Sequence, residues 1–378
     1  MMMESNAVGI YLHIPFCLKK CRYCDFCSFP NISRKRIEEY LAALTVEIKN
    51  APLLPEGKFV ASVFFGGGTP SLLLPKDISS ILSEIKSKYP ISEDAEITLE
   101  ANPATADLEK LTAFRAVGIN RLSIGVQSFD DSELRFLGRL HTASEAVSFF
   151  RSAREAGFSN INIDLIYAIP AQTKETLSRT VDTVLSLSPE HISAYGLILE
   201  EGTPLYENKD NIVFQTEDGE ADLYDLLSER LIQNGYEQYE ISNYAKNGFR
   251  SVHNMGYWES RLYLGFGLSA TSLFDGKRYT NTRDIDRYIS SPLSSVDEVE
   301  EMTEENCLFD YVMMALRTSD GISESVFSRV FGFSFYRSKK DVLDRFIRLG
   351  YAEYDGVRTR LTRKGFYVSS ALLLELLS

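Results

Sequence analysis

Six short β-rich runs, at residues 10–14, 62–65, 97–100, 122–126, 162–166 and 192–197, alternate with longer runs of helical period at 35–49, 77–88, 108–117, 144–156 and 175–186. A parallel connection needs a dozen or more residues, and each intervening run is long enough to supply one. The alternation therefore predicts an α/β architecture with a parallel sheet. A closed eight-unit barrel usually takes about 250 residues. Residues 9–198 hold only six units, so the expectation is an open, incomplete (β/α)6 barrel. Barrels of this kind carry their chemistry just after the C-terminal ends of the strands. Polar and glycine-rich groups gather there: a cysteine loop after the first run, Gly66-Gly67-Gly68-Thr69-Pro70 after the second, Glu100 and Asn102 at the third, and Gln127 at the fourth.

The alternation sets the expected division at 1–235 for the barrel, 236–296 for an aromatic, glycine-containing extension closing one side of it, and 297–378 for a C-terminal unit. That last unit opens on an acidic run at 297–305. Helical runs at 307–316, 323–331 and 339–349 follow, then a hairpin-like 351–361, a pattern that suggests a small winged-helix-like α+β domain. Such domains often bind DNA, and Arg358, Arg360, Arg363 and Lys364 cluster here. The formal net charge of -13 opposes a phosphate backbone, so no nucleic-acid partner is expected.

The first residues have no basic, apolar leader pattern, and no run of about 18 apolar residues occurs. The expected location is the cytoplasm. Four of the five cysteines fall between Cys17 and Cys27, which suits a reduced metal-binding loop better than a disulfide framework. Cys307 reads as a small core residue.

Cys17, Cys21 and Cys24 place three thiolate-capable ligands in one loop directly after a strand. Zinc sites usually draw on two separated ligand pairs, and no second pair is present. An iron–sulfur cubane held by three cysteines keeps one iron open for chemistry. Lys19, Lys20 and Arg22 are placed to hold the thiolates deprotonated.

Cys-x3-Cys-x2-Cys resembles the signature of the radical S-adenosylmethionine (SAM) superfamily. Tyr11-Leu-His-Ile-Pro-Phe-Cys17 and Phe64-Phe-Gly-Gly-Gly-Thr-Pro70 resemble its coproporphyrinogen III oxidase-like branch. The resemblance implies a [4Fe-4S] cluster on Cys17, Cys21 and Cys24. It implies too that SAM chelates the open iron and is cleaved to a 5′-deoxyadenosyl radical. It further implies SAM contacts at Tyr11, Gly67, Gly68, Thr69, Glu100, Gln127, Arg139 and Asp164, with Tyr23 as a stacking candidate. From the residues alone, a glycine triplet lets a backbone turn approach a ligand closely. Glu100 and Asp164 are carboxylates in otherwise apolar strands, where a ligand amine or hydroxyl would satisfy them. The plain alternative for Arg139 and Asp164 is an ordinary ion pair.

Two features separate the oxidase from a heme carrier. Oxidases carry a further cysteine two positions after the third ligand, where this chain has Phe26; Cys27 comes one residue later and reads as a spare ligand or, preferably, a half-buried free thiol. His253-Asn-Met-Gly-Tyr257-Trp258 resembles the His-Asn-x-x-Tyr-Trp motif of the HemW heme-chaperone family, as does the stretch from Tyr239 to Tyr244. Imidazole is a normal axial ligand of heme iron, and Tyr257 with Trp258 would cover a flat macrocycle. His13, His141 and His191 default to structural roles. Leu268, Ser269 and Thr271 depart from the Pro, Gly and His common in relatives. The resemblance implies a heme chaperone that serves client heme proteins such as respiratory enzymes, in contact with a membrane only transiently through those clients. Reduced flavodoxin or ferredoxin is its expected electron donor. The alternative is an oxygen-independent coproporphyrinogen III oxidase.

Overall fold

The computed structural model describes residues 5–377. The six expected strands are present and slightly longer than predicted: β1 Ala7–Ile14, β2 Phe59–Gly67, β3 Ile91–Ala101, β4 Arg121–Gln127, β5 Ile161–Tyr167 and β6 His191–Gly196. Each pairs in parallel with the next, as Tyr11 beside Phe64 and Gly125 beside Asp164 illustrate. In β4 every residue from Arg121 to Val126 is buried, because helices cover one face and the barrel interior lies against the other.

The crossover helices are α1 Arg34–Asn50, α2 Pro75–Lys88, α3 Leu108–Ala116, α4 Asp131–Leu137, α5 Ala143–Glu155 and α6 Lys174–Leu187. Their starts are fixed locally. Ser33 and Asp107 accept bonds from the third residue beyond, and Thr142 with Glu145 forms a capping box. Gly138, at φ +79°, ends α4 and turns the chain so that Arg139 enters the barrel. One apolar core joins Ile10, Leu12, Val63, Phe65, Leu99, Ile124 and Ile163 to helix residues such as Leu44, Ile81, Phe114 and Val181.

The segment after α7 (Glu217–Gln233) does not close one side of the barrel as expected; it extends both edges of the sheet. β7 Glu237–Gln238 and β8 Asn243–Ala245 add antiparallel to β6. The chain then forms α8, Val252–Trp258, which packs against β1 and β2. It returns as β9 Tyr263–Phe266, parallel to β1, and continues antiparallel through β10 Thr271–Phe274, β11 Lys277–Asn281 and β12 Val296–Glu301. A single-sequence pattern cannot see this division, because edge membership is a tertiary property.

The acidic run placed at the head of the C-terminal unit is therefore corrected. Residues Val296–Glu301 are the exposed edge strand of the large sheet, where a run of carboxylates suits an edge left without a strand partner. The C-terminal unit proper holds α9 Glu304–Ala315, α10 Glu324–Phe331, α11 Lys340–Arg348 and α12 Ser369–Leu377. A three-stranded antiparallel sheet of Ile322–Ser323, Ala352–Tyr354 and Arg358–Leu361 completes it. It has its own core around Val312, Phe327, Leu343, Phe346 and Leu373. Two members of the basic cluster are paired within the chain: Arg360 faces Glu353 and Asp355, and Arg363 faces Glu229 and Asp225.

Candidate cluster and SAM site

The loop after β1 is pinned by a short parallel pairing of Phe16–Cys17 with Phe29–Pro30. Cys17, Cys21 and Cys24 are free and half-buried. Burial pushes the Cys17 thiol up, and it pushes Cys24 up to about 11. Thr69 Oγ1 donates to Cys17 Sγ (3.6 Å), and Arg139 Nη1 donates to Cys21 Sγ (3.3 Å). Lys19, Lys20 and Arg22 are exposed. Lys20 favours the Cys24 thiolate from the solvent side, and Arg139, reaching across from beyond α4, adds a buried cation beside Cys21.

The glycine turn follows from space. Gly67 has φ +108°, and a Cβ there would lie 2.6 Å from the His13 ring; at Gly68 it would lie 2.7 Å from the Phe16 carbonyl oxygen. The Gly67 N–H donates to Glu100 Oε2 (3.0 Å). Asn102 Nδ2 donates to Thr69 Oγ1 (2.8 Å), and Arg139 Nη2 donates to Asn102 Oδ1 and to the Gly125 carbonyl. No ion pair joins Arg139 to Asp164. Asp164 instead accepts from Asn162 Nδ2 (2.6 Å) and Ser123 Oγ (3.4 Å). Burial raises the Asp164 carboxyl; burial and then Asp164 raise Glu100 to about 8. Gln127 stands at φ +76°, Tyr11 bonds His13 Nδ1 (3.1 Å), and Tyr23 packs against Leu137, Ile166 and Ile169.

His253 is reached from the opposite end of the barrel. Its ring stacks on Phe64 at 4.9 Å, and its Nδ1 lies 2.9 Å from Ser62 Oγ. Nε2 lies 3.1 Å from the Tyr257 hydroxyl, and burial, then Arg121, lowers the imidazole to about 3. The Val252 and His253 N–H groups both donate to the buried Glu96 carboxylate. Trp258 does not share this face; it packs with Tyr239, Ala245, Met255 and Phe249 on the other side of α8. His13 Nε2 donates to the Cys27 carbonyl, and Cys27 packs against the core. Ser269 adopts φ +53°.

The residues expected to hold the cluster, SAM and heme iron line one cavity of about 1080 Å³: the three cysteines, Tyr11, Tyr23, Gly67, Gly68, Thr69, Glu100, Gln127, Arg139, Asp164 and His253. Asn102, Arg121, Asn162, Ser193 and Tyr195 line it too and were not predicted as site residues. For Asn162 a signal existed, since it alternates with Asp164 on a strand whose other residues are apolar or aromatic. Among the described residues no three His, Cys, Asp or Glu side chains converge on one ion. A cubane taking one thiolate per iron needs no such convergence. The residues fit the cluster and SAM on three counts: three free thiols on one loop, a glycine cradle that a Cβ would fill, and a buried Arg139 Nε without a partner beside them.

This barrel, loop and cradle define a radical SAM protein. The Radical SAM superfamily pattern matches residues 11–184, and the HemN C-terminal domain pattern matches 302–368. Heme chaperone HemW of Bacillus subtilis (strain 168) is 34% identical over 94% of this chain and 95% of its own length. Heme chaperone HemW of Escherichia coli (strain K12) is 35% identical over 75% of each chain. The solved coproporphyrinogen III oxidase HemN of Escherichia coli superposes with a TM-score of 0.83 at 25% identity, over 98% of this chain and 89% of that one. The chain belongs to the HemW family of radical SAM proteins.

Proposed function

We propose that this protein binds heme and delivers it to client heme proteins such as respiratory enzymes, with SAM and the cluster enabling or regulating the transfer. The observation that carries this reading is the single cavity that has the cysteine loop at one end and His253 with Tyr257 at the other. The His253 ring stacks on Phe64, three residues before Gly67 on β2, so the two ends are separated by roughly 10 Å along the strand. A long, flat, largely apolar ligand suits that space, and the aromatic walls of Tyr11, Phe64 and Tyr257 suit its faces. His253 is neutral, so Nε2 carries a lone pair that iron can take; ligation exchanges the Tyr257 hydroxyl at Nε2 for the metal while Ser62 keeps Nδ1 in place.

When bound, the cluster supplies the electron that cleaves SAM. The chain's own residues then have three tasks: the loop holds iron through Cys17, Cys21 and Cys24, Arg139 steadies the loop, and Gly67, Glu100 and Asp164 receive the SAM polar groups. Exposed Lys19 and Lys20 support a docking face for reduced flavodoxin or ferredoxin. Five free thiols support a reducing, cytoplasmic setting. Among the described residues no helix is long and apolar enough to cross a membrane, and membrane contact is assigned to the clients.

Against the oxidase reading stands Phe26, 56% exposed where an oxidase carries a further cysteine. The deciding experiment is anaerobic reconstitution with iron and sulfide, followed by heme titration and a coproporphyrinogen decarboxylation assay on one sample. Stoichiometric heme binding, lost in His253→Ala and without decarboxylation, is the expected result. Decarboxylation would overturn the chaperone reading.

A further inference from the structure

A continuous buried chain of hydrogen bonds runs from the SAM end of the cavity to the helix that carries His253. The Ser251 N–H donates to the Tyr239 hydroxyl (3.3 Å), and that hydroxyl lies 2.8 Å from His191 Nε2. His191 Nδ1 lies 2.7 Å from Asn162 Oδ1, and Asn162 Nδ2 donates to Asp164 Oδ1 (2.6 Å). Ser251 caps α8, two residues before His253, and donates through Oγ to Glu96. Asn162, His191, Tyr239 and Ser251 are at most 1% exposed.

The protons in this chain have a determined direction. Asn162 must turn its amide nitrogen to the Asp164 carboxylate, so its oxygen faces His191 and accepts from Nδ1–H. His191 Nε2 is then the acceptor, and the Tyr239 hydroxyl donates to it. Every bond from Ser251 to Asp164 therefore points the same way and ends on a carboxylate. Aligned bonds in a dry interior polarise one another, so what Asp164 binds changes the strength of each bond behind it. Ser251, Tyr239 and His191 are fully buried, so no bulk water replaces the links between them, while Asn162 and Asp164 meet the cavity at the far end.

We propose that His191 and Tyr239 are positioning residues that couple SAM at Asp164 to the placement of the His253 helix. The inference rests on the heme-carrier reading and on SAM reaching Asp164. Filling of the SAM pocket resets α8, and with it the approach of Nε2 to Tyr257 or to iron. His191 and Tyr239 touch neither ligand; they act only through Asn162 and Ser251.

Trp258, the single tryptophan, is the last residue of α8 and reports on that helix directly. The experiment is a SAM titration of the reconstituted protein, with Trp258 emission, SAM binding by equilibrium dialysis, and heme affinity measured with and without SAM. In the wild type, SAM is expected to shift the emission and to change heme affinity on the order of tenfold. Tyr239→Phe keeps the ring, loses the link, binds SAM with unchanged affinity and loses both responses. His191→Leu, checked like it for native circular dichroism, does the same. A wild-type emission unmoved by saturating SAM overturns the coupling without any variant, and so does a full response in either variant. Absence of SAM binding to the wild type overturns the SAM assignment itself. Absence of heme binding alongside a SAM-driven shift overturns the carrier reading and leaves the coupling intact.

Discussion

His253 Nε2 lies 3.1 Å from the Tyr257 hydroxyl one turn along the same helix, while Nδ1 lies 2.9 Å from Ser62 Oγ. An incoming iron at Nε2 competes with a hydrogen bond of ordinary strength, worth about 0.5–1.5 kcal/mol net. Tyr257→Phe removes the competitor and preserves most of the aromatic wall. Heme titrated by its Soret absorbance should then bind roughly twofold to tenfold more tightly, while His253→Ala should lose the ligated spectrum. Equal affinity in wild type and Tyr257→Phe would mean that Nε2 does not meet the iron.

Acid should destabilise the fold through the same histidine. Burial lowers its folded pKa to about 3, against about 6.5 in an unfolded chain. The unfolded state therefore takes up the proton first. The contribution is complete above about pH 6.5 and is lost as the pH falls toward 3, amounting to about 2 kcal/mol by pH 5. Denaturant melts of His253→Gln between pH 5 and 7.5 should show a flatter pH slope than wild type. Equal slopes would show that the imidazole is not held neutral in the folded state.

Glu100 has the opposite sign. Its folded pKa is raised to about 8 by burial and by Asp164, so its ionisation costs stability in the ligand-free protein as the pH climbs from about 4.5 toward 8. Glu100→Gln should match wild type near pH 4.5 and exceed it at pH 8 by on the order of 1 kcal/mol, a figure reduced because the carboxylate borders the open cavity. The same variant should bind SAM more weakly. A Tm difference independent of pH would contradict the assignment.

Most of this architecture could be read from the chain because parallel strands and their crossovers leave local signatures. The apolar runs ending at Ile14, Phe65 and Val126 each lead into a polar loop, and barrel geometry assembles those loops at one end. What could not be read depends on long-range packing. The 236–301 stretch has strand-like runs, yet nothing in them says which edge each will join. Arg139 was expected at SAM, but its distance to Cys21 follows from the turn at Gly138, 117 residues after the thiol in the chain. His191 looked structural because its partners, Asn162 and Tyr239, are far from it in sequence and meet it only inside the barrel.

Arg139 ties Cys17 and Cys21 together. Its Nη1 holds Cys21 Sγ, and its Nη2 holds Asn102, which donates to Thr69, whose hydroxyl donates to Cys17 Sγ. One buried guanidinium thus sets the spacing of two sulfurs, a task that uses both ends of the planar fork. Lysine keeps the charge but offers a single ammonium on a flexible stem, so it can satisfy one branch and must abandon the other. Arg139→Lys should load iron and release it faster to a chelator, by roughly tenfold, as ordered second-sphere contacts commonly contribute tenfold or more to metal affinity. Cys27→Ser, whose sulfur reaches only the Arg283 carbonyl at 3.9 Å, should release iron at the wild-type rate. Wild-type iron retention by Arg139→Lys would show that charge alone, and not the fork, steadies the loop; rapid loss in Cys27→Ser would make Cys27 a ligand.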